Sequence, residues 1–396
     1  MLEDIYQLLE NNFQETVQIR RHLHQHPELS FEEVETPRLI AEFLGNLGID
    51  IRTGVGGRGV VGCIRGEKPG KTVALRADFD ALPLQDQKNV PYRSKVPGKM
   101  HACGHDAHTA TLLSVAKVLQ EKRHLLEGNI VLIHQFAEEL VPGGAKAMIE
   151  DGCLDGVDAI FGTHLWTTIP VGKAGFTSKA IMAAADRFEV EIIGKGGHGA
   201  MPHETIDPIV IGTNYVQLLQ QIISRSVSPL DSAVISVGTF HGGDAFNIIA
   251  DQVSITGTVR TFQEETRKAV QVKMEAILRT LCESAGASCH FRYQPGYPSV
   301  INHEQETSLV QSAAKEILGE DHCFITEPLM VGEDFSYYLQ EVPGAFFLTG
   351  AGNIQSGAKY PHHHPLFDID ERAMLHAGKI LAAAAVRFLM EKSERK

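Results

Sequence analysis

Short runs rich in Val, Ile and Phe alternate with helical stretches through the first half of this chain. That alternation restricts its fold more than any other feature. Val73–Ala77, Ile130–Phe136 and Ala159–Gly162 read as short buried strands, with helices at about Asp106–Lys122 and Gly144–Asp151 between them. Such spacing predicts right-handed βαβ units and a mostly parallel sheet. From Asp186 the pattern changes to strand Arg187–Ile193, helix Pro208–Ser224, strands Ala233–Phe240 and Gln252–Phe262, helix Glu264–Glu283 and strand Cys289–Tyr293. This β-α-β-β-α-β order is ferredoxin-like. After Pro295-Gly296 the first pattern resumes, with a strand at Ala345–Thr349 and a closing helix from Glu371 to about Glu391. The chain of 396 residues is longer than one core usually supports. We expect an α/β protein in which residues 186–294 are inserted into a larger domain made of residues 1–185 and 295–396.

Composition excludes several function classes. A net charge of −13 without any Lys/Arg run argues against a nucleic-acid or anionic-membrane partner. The start, Met-Leu-Glu-Asp-Ile-Tyr-Gln, has neither the basic nor the apolar region of a secretory signal. No apolar run approaches the ~18 residues of a spanning helix. Cys63, Cys103, Cys153, Cys282, Cys289 and Cys323 are scattered without CxxC spacing, which reads as reduced thiols in a cytoplasmic protein. All but Cys103 are expected to be small buried apolar residues.

Cys103 differs because of its neighbours. His101-Ala-Cys-Gly-His105-Asp-Ala-His108 places one thiol and three imidazoles in a turn that opens a helix. Gly104 permits the turn, Asp106 suits the helix N-cap, and a thiolate beside imidazole suits zinc or a similar metal. Asp78 and Asp80 follow the first strand, Glu138 and Glu139 the second, His164 the third, and His362-His363-His364 lies a loop beyond the last. Strand carboxyl ends are where open α/β sheets bind ligands, so a metal site assembled by the fold is expected. In the adjacent pair, Glu139 reads as a ligand and Glu138 as a base that takes a proton from water. His101 and His108 read either as supports for the ligands or as helix-surface residues, and spacing leaves open which of the triple histidine ligates. The glycines around Lys195 make no phosphate loop, because no Gly-Lys-Ser/Thr follows.

Six segments together resemble the M20 metallopeptidase family. They are Arg76-Ala-Asp-Phe-Asp-Ala-Leu-Pro83, Met100-His-Ala-Cys-Gly-His-Asp106, Ala137-Glu-Glu139, Gly194-Lys-Gly-Gly-His198, Gly332-Glu-Asp-Phe335 and His363-His-Pro-Leu-Phe367. The branch they resemble most is that of aminoacylases, hippurate hydrolases and indole-acetyl-amino-acid hydrolases. The resemblance implies a metal-dependent exopeptidase-type catalytic domain with an inserted lid and dimerisation domain. It implies two divalent metal ions and hydrolysis of N-acyl amino acids. By position, Cys103 matches a bridging ligand and His105, Glu139, His164 and His363 the others; His363 stands two residues before Pro365, as the family's ligand does. Glu138 matches the general base, Asp80 the carboxylate that orients a ligand, His198 a lid residue that steadies the oxyanion, and Asn247 and Arg260 substrate-binding positions. Asp78 stands where many of the family's peptidases have a ligating histidine, which favours the acylase branch. A bridging thiolate favours zinc, cobalt or nickel over manganese, zinc foremost. A homodimer is implied, with a small-molecule N-acyl amino acid or dipeptide as substrate. A dipeptidase or carboxypeptidase with the same machinery is the nearest alternative. A cysteine hydrolase using Cys103 as nucleophile would leave Glu138, Glu139 and His164 without a role, and a non-catalytic relative would be expected to have lost Glu138 or a ligand.

Overall fold

The computed structural model of the protein describes residues 1–391. By internal contacts the chain forms two units. One comprises residues 1–181, 301–327 and 334–391, and the other residues 182–300 and 328–333.

The first unit carries an eight-stranded sheet. Its order is Asp50–Val55, Gly59–Arg65, Glu127–Gln135, Lys68–Asp78, Ala159–Pro170, Gly344–Gly352, Ala174–Phe176 and Cys323–Ile325. Lys68–Asp78, Glu127–Gln135, Ala159–Pro170 and Gly344–Gly352 run parallel, while Asp50–Val55 and Gly59–Arg65 add an antiparallel edge. The central strands are buried almost without a break, as parallel strands covered on both faces must be. Helix Arg372–Met390 and helix His105–Glu121 cover the strands. The former is long and apolar enough to cross a membrane, with mean hydropathy 1.4, but 72% of it is buried inside the protein and it serves as a core helix.

Strand Ala159–Pro170 runs well past Gly162, so His164 lies inside the strand and does not follow it as expected. Its partner Gly344–Gly352 extends alongside to Pro170 and keeps the ladder intact. Helix His105–Glu121 starts one residue before Asp106, because Gly104 takes a left-handed conformation (φ 94°) and itself caps the helix. Asp106 is therefore no cap; its carboxylate turns inward to Arg20 and His24. Of the cysteines expected to be buried, Cys153 and Cys282 are, while Cys63, Cys289 and Cys323 are half-buried.

The second unit has strands in the order Ala233–Gly242, Gln252–Thr261, Ala184–Ile193 and Ser288–Gln294, all antiparallel. Burial along Ala184–Ile193 alternates, because one face meets helices Pro208–Ser226 and Glu264–Ala285 and the other does not. Local chemistry sets the helix ends. Asp207 accepts from the Ile209 and Val210 amides ahead of Pro208, and left-handed Gly286 (φ 71°) ends the second helix.

Candidate metal centre

The parallel register brings the chemistry together. Asp78 pairs with Gln135, so strands Lys68–Asp78 and Glu127–Gln135 end level, and Arg76 pairs with Gly162, which brings His164 of the longer strand Ala159–Pro170 to the same level. Beyond that edge sit Cys103, His105, Glu138, Glu139, His164 and His363. Ligand atoms of Cys103, His105 and His164 lie within 4.8 Å of one another, as do those of Cys103, Glu139 and His363 and those of His105, Glu138 and Glu139. Cys103 thus belongs to two triads, a position that suits a bridging thiolate.

Hydrogen bonds decide which imidazole nitrogens face this space. His105 Nδ1 donates to Asp80, 3.0 Å from both its carbonyl and Oδ1, so Nε2 is turned inward. That nitrogen is buried and unpaired. It stands 3.8 Å from Asp78 Oδ2, 4.0 Å from Glu138 Oε2 and 3.9 Å from Glu139 Oε1, beyond hydrogen-bond reach of each. His164 Nδ1 donates to the Leu165 carbonyl at 3.0 Å, leaving Nε2 3.4 Å from Cys103 Sγ. His363 has a left-handed backbone (φ 62°), its amide bonded to the Ala102 carbonyl, and its Nε2 lies 3.3 Å from Glu139 Oε1.

The other histidines are engaged elsewhere. His108 Nδ1 donates to Asp78 Oδ1 at 2.7 Å, and its Nε2 accepts from the Leu165 amide at 3.0 Å, so no nitrogen remains. His362 donates from Nε2 to the Leu165 carbonyl at 2.9 Å and stacks on Trp166. His364 Nδ1 accepts from the Leu366 amide and its ring stacks on Tyr360. His101 is buried with neither nitrogen paired, and burial holds it neutral, its pKa pushed down to about 4.

Asp80 ties two of the converging residues together. Its Oδ1 receives His105 Nδ1, and its Oδ2 receives the Ser30 hydroxyl at 2.6 Å and the Glu139 amide at 2.9 Å. Asp78 instead holds Arg76 and His108, each at 2.7 Å. Burial opposes its charge, but His105, Arg76 and His108 keep its carboxyl well below the usual range.

The cluster is short of positive charge. Burial, then Glu139 and Glu138, push the Cys103 thiol well above its usual pKa. Burial disfavours the His105 cation, yet Asp78, Asp80 and Glu139 outweigh it and raise the ring to about 10. Soft and hard donors crowded around orphaned Nε2 and Oε1 atoms are what a pair of divalent cations would satisfy, so the residues fit such a pair.

His198, Asn247 and Arg260 belong to the second unit. His198 lies in a short ladder with Ile248, and its Nδ1 accepts from the Ala200 amide at 3.1 Å, which leaves the proton on Nε2. The Asn247 carbonyl accepts from the Gly199 amide, which places His198 and Asn247 on adjoining segments of that two-stranded ladder. Arg260, half-buried on strand Gln252–Thr261, donates to Thr258 Oγ1 and to the Val259 carbonyl.

Sequence reasoning missed the N-terminal contribution. Buried Arg20 bonds Asp106, Asp368 and Glu371, and His24 bridges Asp106 and Asp86. Ser30 and Glu33 reach Asp80 and the Ala137 amide. The available signal was the density of histidines and glutamates around Pro27, where helix Phe13–Gln25 gives way to a loop.

Comparison with known proteins shows the family. The family described as Peptidase family M20/M25/M40 matches residues 74–387. A Bacillus subtilis protein assigned as an amidohydrolase, YhaA, is 55% identical over 98% of both chains. Thermostable carboxypeptidase 2 of Saccharolobus solfataricus is 42% identical, covering 97% of this chain and 99% of its own. N-acetyl-L-cysteine deacetylase of Bacillus subtilis is 44% identical, covering 96% of this chain and 89% of its own. The solved structure of the Bacillus subtilis YXEP protein, described as a dinuclear metal-binding peptidase of the M20 family, superposes with a TM-score of 0.84. It shares 37% identity over 96% of this chain and 99% of that one.

Proposed function

The chain belongs to peptidase family M20/M25/M40 and is a hydrolase acting on amides, and from that premise we propose that it hydrolyses N-acyl-L-amino acids at a dinuclear metal centre. The observation that carries the reading is the convergence of Cys103, His105, Glu139, His164 and His363 beside the Glu138 carboxylate. These five residues would hold two divalent ions, zinc foremost. Bound there, the ions supply Lewis acidity that activates a water and polarises the scissile carbonyl. Glu138 takes the proton of the attacking water and returns it to the leaving nitrogen. Asp80 keeps His105 in the tautomer that offers Nε2.

From the inserted unit, His198 donates through Nε2 to the developing oxyanion, Arg260 pairs with the substrate carboxylate, and Asn247 contacts the substrate. In this reading residues 186–294 act as lid and dimerisation domain of a cytoplasmic homodimer, and His198 of one subunit serves the centre of the other. Support for the dimer comes from the edge strand Ala233–Gly242 and from exposed Phe246 and Ile248 beside His198. A mixed dimer of Glu138→Ala and His198→Ala subunits tests it. Recovery of about one site per dimer is expected, and a mixed dimer as inactive as both parents would refute the crossing histidine.

The substrate class is tested with N-acetyl-, N-benzoyl- and dipeptide substrates, each assayed with zinc, cobalt and manganese. The highest kcat/KM is expected among the N-acyl amino acids. A clear preference for dipeptides would overturn the acylase reading in favour of a peptidase, an outcome the carboxypeptidase relative keeps open.

A further inference from the structure

The segment Leu29–Glu33 runs beside the strand ends that carry the centre. Leu29 bridges Ala81, and the Ala81 amide donates to the Glu28 carbonyl at 2.8 Å. Ser30 holds Asp80, and the Phe31 ring packs edge-on against Phe136 at 5.8 Å. Glu33 is wholly buried, and its Oε1 accepts from the Ala137 amide at 2.9 Å.

Ala137, like Phe31 and His363, has a strained backbone. Its φ of 51° lies in the left-handed region, which a residue with a Cβ adopts only when its surroundings insist. The turn has work to do there. It follows strand Glu127–Gln135 and turns Glu138 and Glu139 into the centre, with Glu138 Oε2 4.0 Å and Glu139 Oε1 3.9 Å from His105 Nε2. Two buried carboxyl groups hold it from either side: Glu33 on the Ala137 amide and Asp80 on the Glu139 amide.

Glu33 has little reason to be there for stability. Its Oε2 is buried without a hydrogen bond, and the nearest cation to that oxygen, Arg58 Nε, stands 3.9 Å away. A carboxyl buried with one oxygen unsatisfied destabilises a fold unless its remaining contacts serve something else.

We propose that Glu33 is a positioning residue for the reaction: its bond to the Ala137 amide locks the left-handed turn that aims the Glu138 base. This rests on Glu138 being that base. Asp80 sets the ligand side of the pair through Glu139, and Glu33 sets the base side through Ala137. Burial, reinforced by the charge of Asp80, raises the Glu33 pKa to about 8, so the neutral acid is the form at pH 7 and Gln is its near isostere.

The test compares Glu33→Ala, Glu33→Gln and Glu33→Ala/Ala137→Gly, each loaded with metal and assayed on an N-acyl amino acid. Displacing a catalytic group by an ångström lowers turnover by roughly 10- to 100-fold, so Glu33→Ala should lose that much kcat with KM and metal content near wild type. Glu33→Gln keeps the acceptor oxygen and should keep most of kcat. Glycine at 137 adopts the left-handed turn without help and should restore part of the loss. Independently of activity, hydrogen exchange at the Ala137 amide should quicken in Glu33→Ala and stay slow in Glu33→Gln. Should Glu33→Ala not fold, Glu33→Asp withdraws the acceptor by one methylene and is expected to behave the same way.

Unchanged kcat in a folded Glu33→Ala protein would overturn the proposal. So would an Ala137 amide that exchanges no faster, or a loss of activity that tracks loss of metal. Failure of the underlying reading looks different, because an active Glu138→Gln enzyme would remove the base while leaving the amide-exchange result intact.

Discussion

Replacing Asp80 by Asn removes one negative charge and one acceptor from a carboxylate that is fully engaged. Its Oδ1 takes the proton of His105 Nδ1 at 3.0 Å, while Oδ2 takes the Ser30 hydroxyl at 2.6 Å and the Glu139 amide at 2.9 Å. Asparagine has a single oxygen. If that oxygen faces Ser30 and Glu139, the new NH₂ opposes the His105 Nδ1–H, and the ring must move its proton to Nε2, where a metal would bind. If the amide is turned round, the NH₂ opposes the Glu139 amide instead. Either way one hydrogen bond to a charged group is lost, worth about 1.5–3 kcal/mol, or roughly a 10- to 150-fold change in an equilibrium. Metal affinity is the quantity that should fall by this factor, measured by competition with a chromophoric chelator on protein shown by circular dichroism to be folded. The kcat at saturating metal should suffer less, because Asp80 holds the pair through the Glu139 amide, on the ligand side. An Asp80→Asn affinity within about threefold of wild type would refute the reasoning, since partners of metal-bound histidines ordinarily contribute 10- to 100-fold.

Four further outcomes are expected. Glu138→Gln should keep its metal and lose ~10²–10⁴ in kcat, whereas Glu139→Gln should lose metal; kinetics beside metal analysis would expose a reversed assignment. Dialysis against a strong chelator should abolish hydrolysis and divalent metal should restore it, with no acyl adduct on Cys103 by mass spectrometry; such an adduct would favour a cysteine nucleophile instead. Arg20→Met leaves the buried Asp106 carboxylate without its guanidinium partner, so urea unfolding should show a loss of about 3–5 kcal/mol, and a loss under ~1 kcal/mol would contradict the buried-pair argument. Burial holds His134 neutral, its pKa lowered to about 3. The unfolded chain therefore gains a proton near pH 6.5 that the folded one refuses, so this residue's contribution is present above pH 6.5 and is lost as pH falls toward 3. His134→Gln should flatten the slope of stability against pH in that window by about one proton, and an unchanged slope would count against a buried neutral ring.

Local pattern was enough to determine the classes of element and most of the donors. Strand-helix alternation and the change of pattern at Asp186 are short-range properties, set by side-chain period and by turn residues such as Gly104, Asp207 and Gly286. Carboxylates, a thiol and histidines at strand ends were legible for the same reason, since a parallel strand delivers whatever follows it to one edge. Which histidine nitrogens face that edge was not legible. His362, His363 and His364 are alike in sequence and differ only in whether Leu165, Glu139 or Leu366 stands beside the ring. His108 lies on the same helix as His105, yet Asp78 and the Leu165 amide occupy both of its nitrogens. The supports were hidden further still. Glu33 meets Ala137 across 104 residues, and Arg20 meets Asp368 across 348. No period or spacing encodes contacts at such separations, because they exist only once the sheet has brought its strand ends level and the chain's first helices have packed against them. The donor set was therefore written locally, while the aim of each donor, and with it the left-handed turn at Ala137, was decided by tertiary packing that leaves each buried polar group only the partners within its reach.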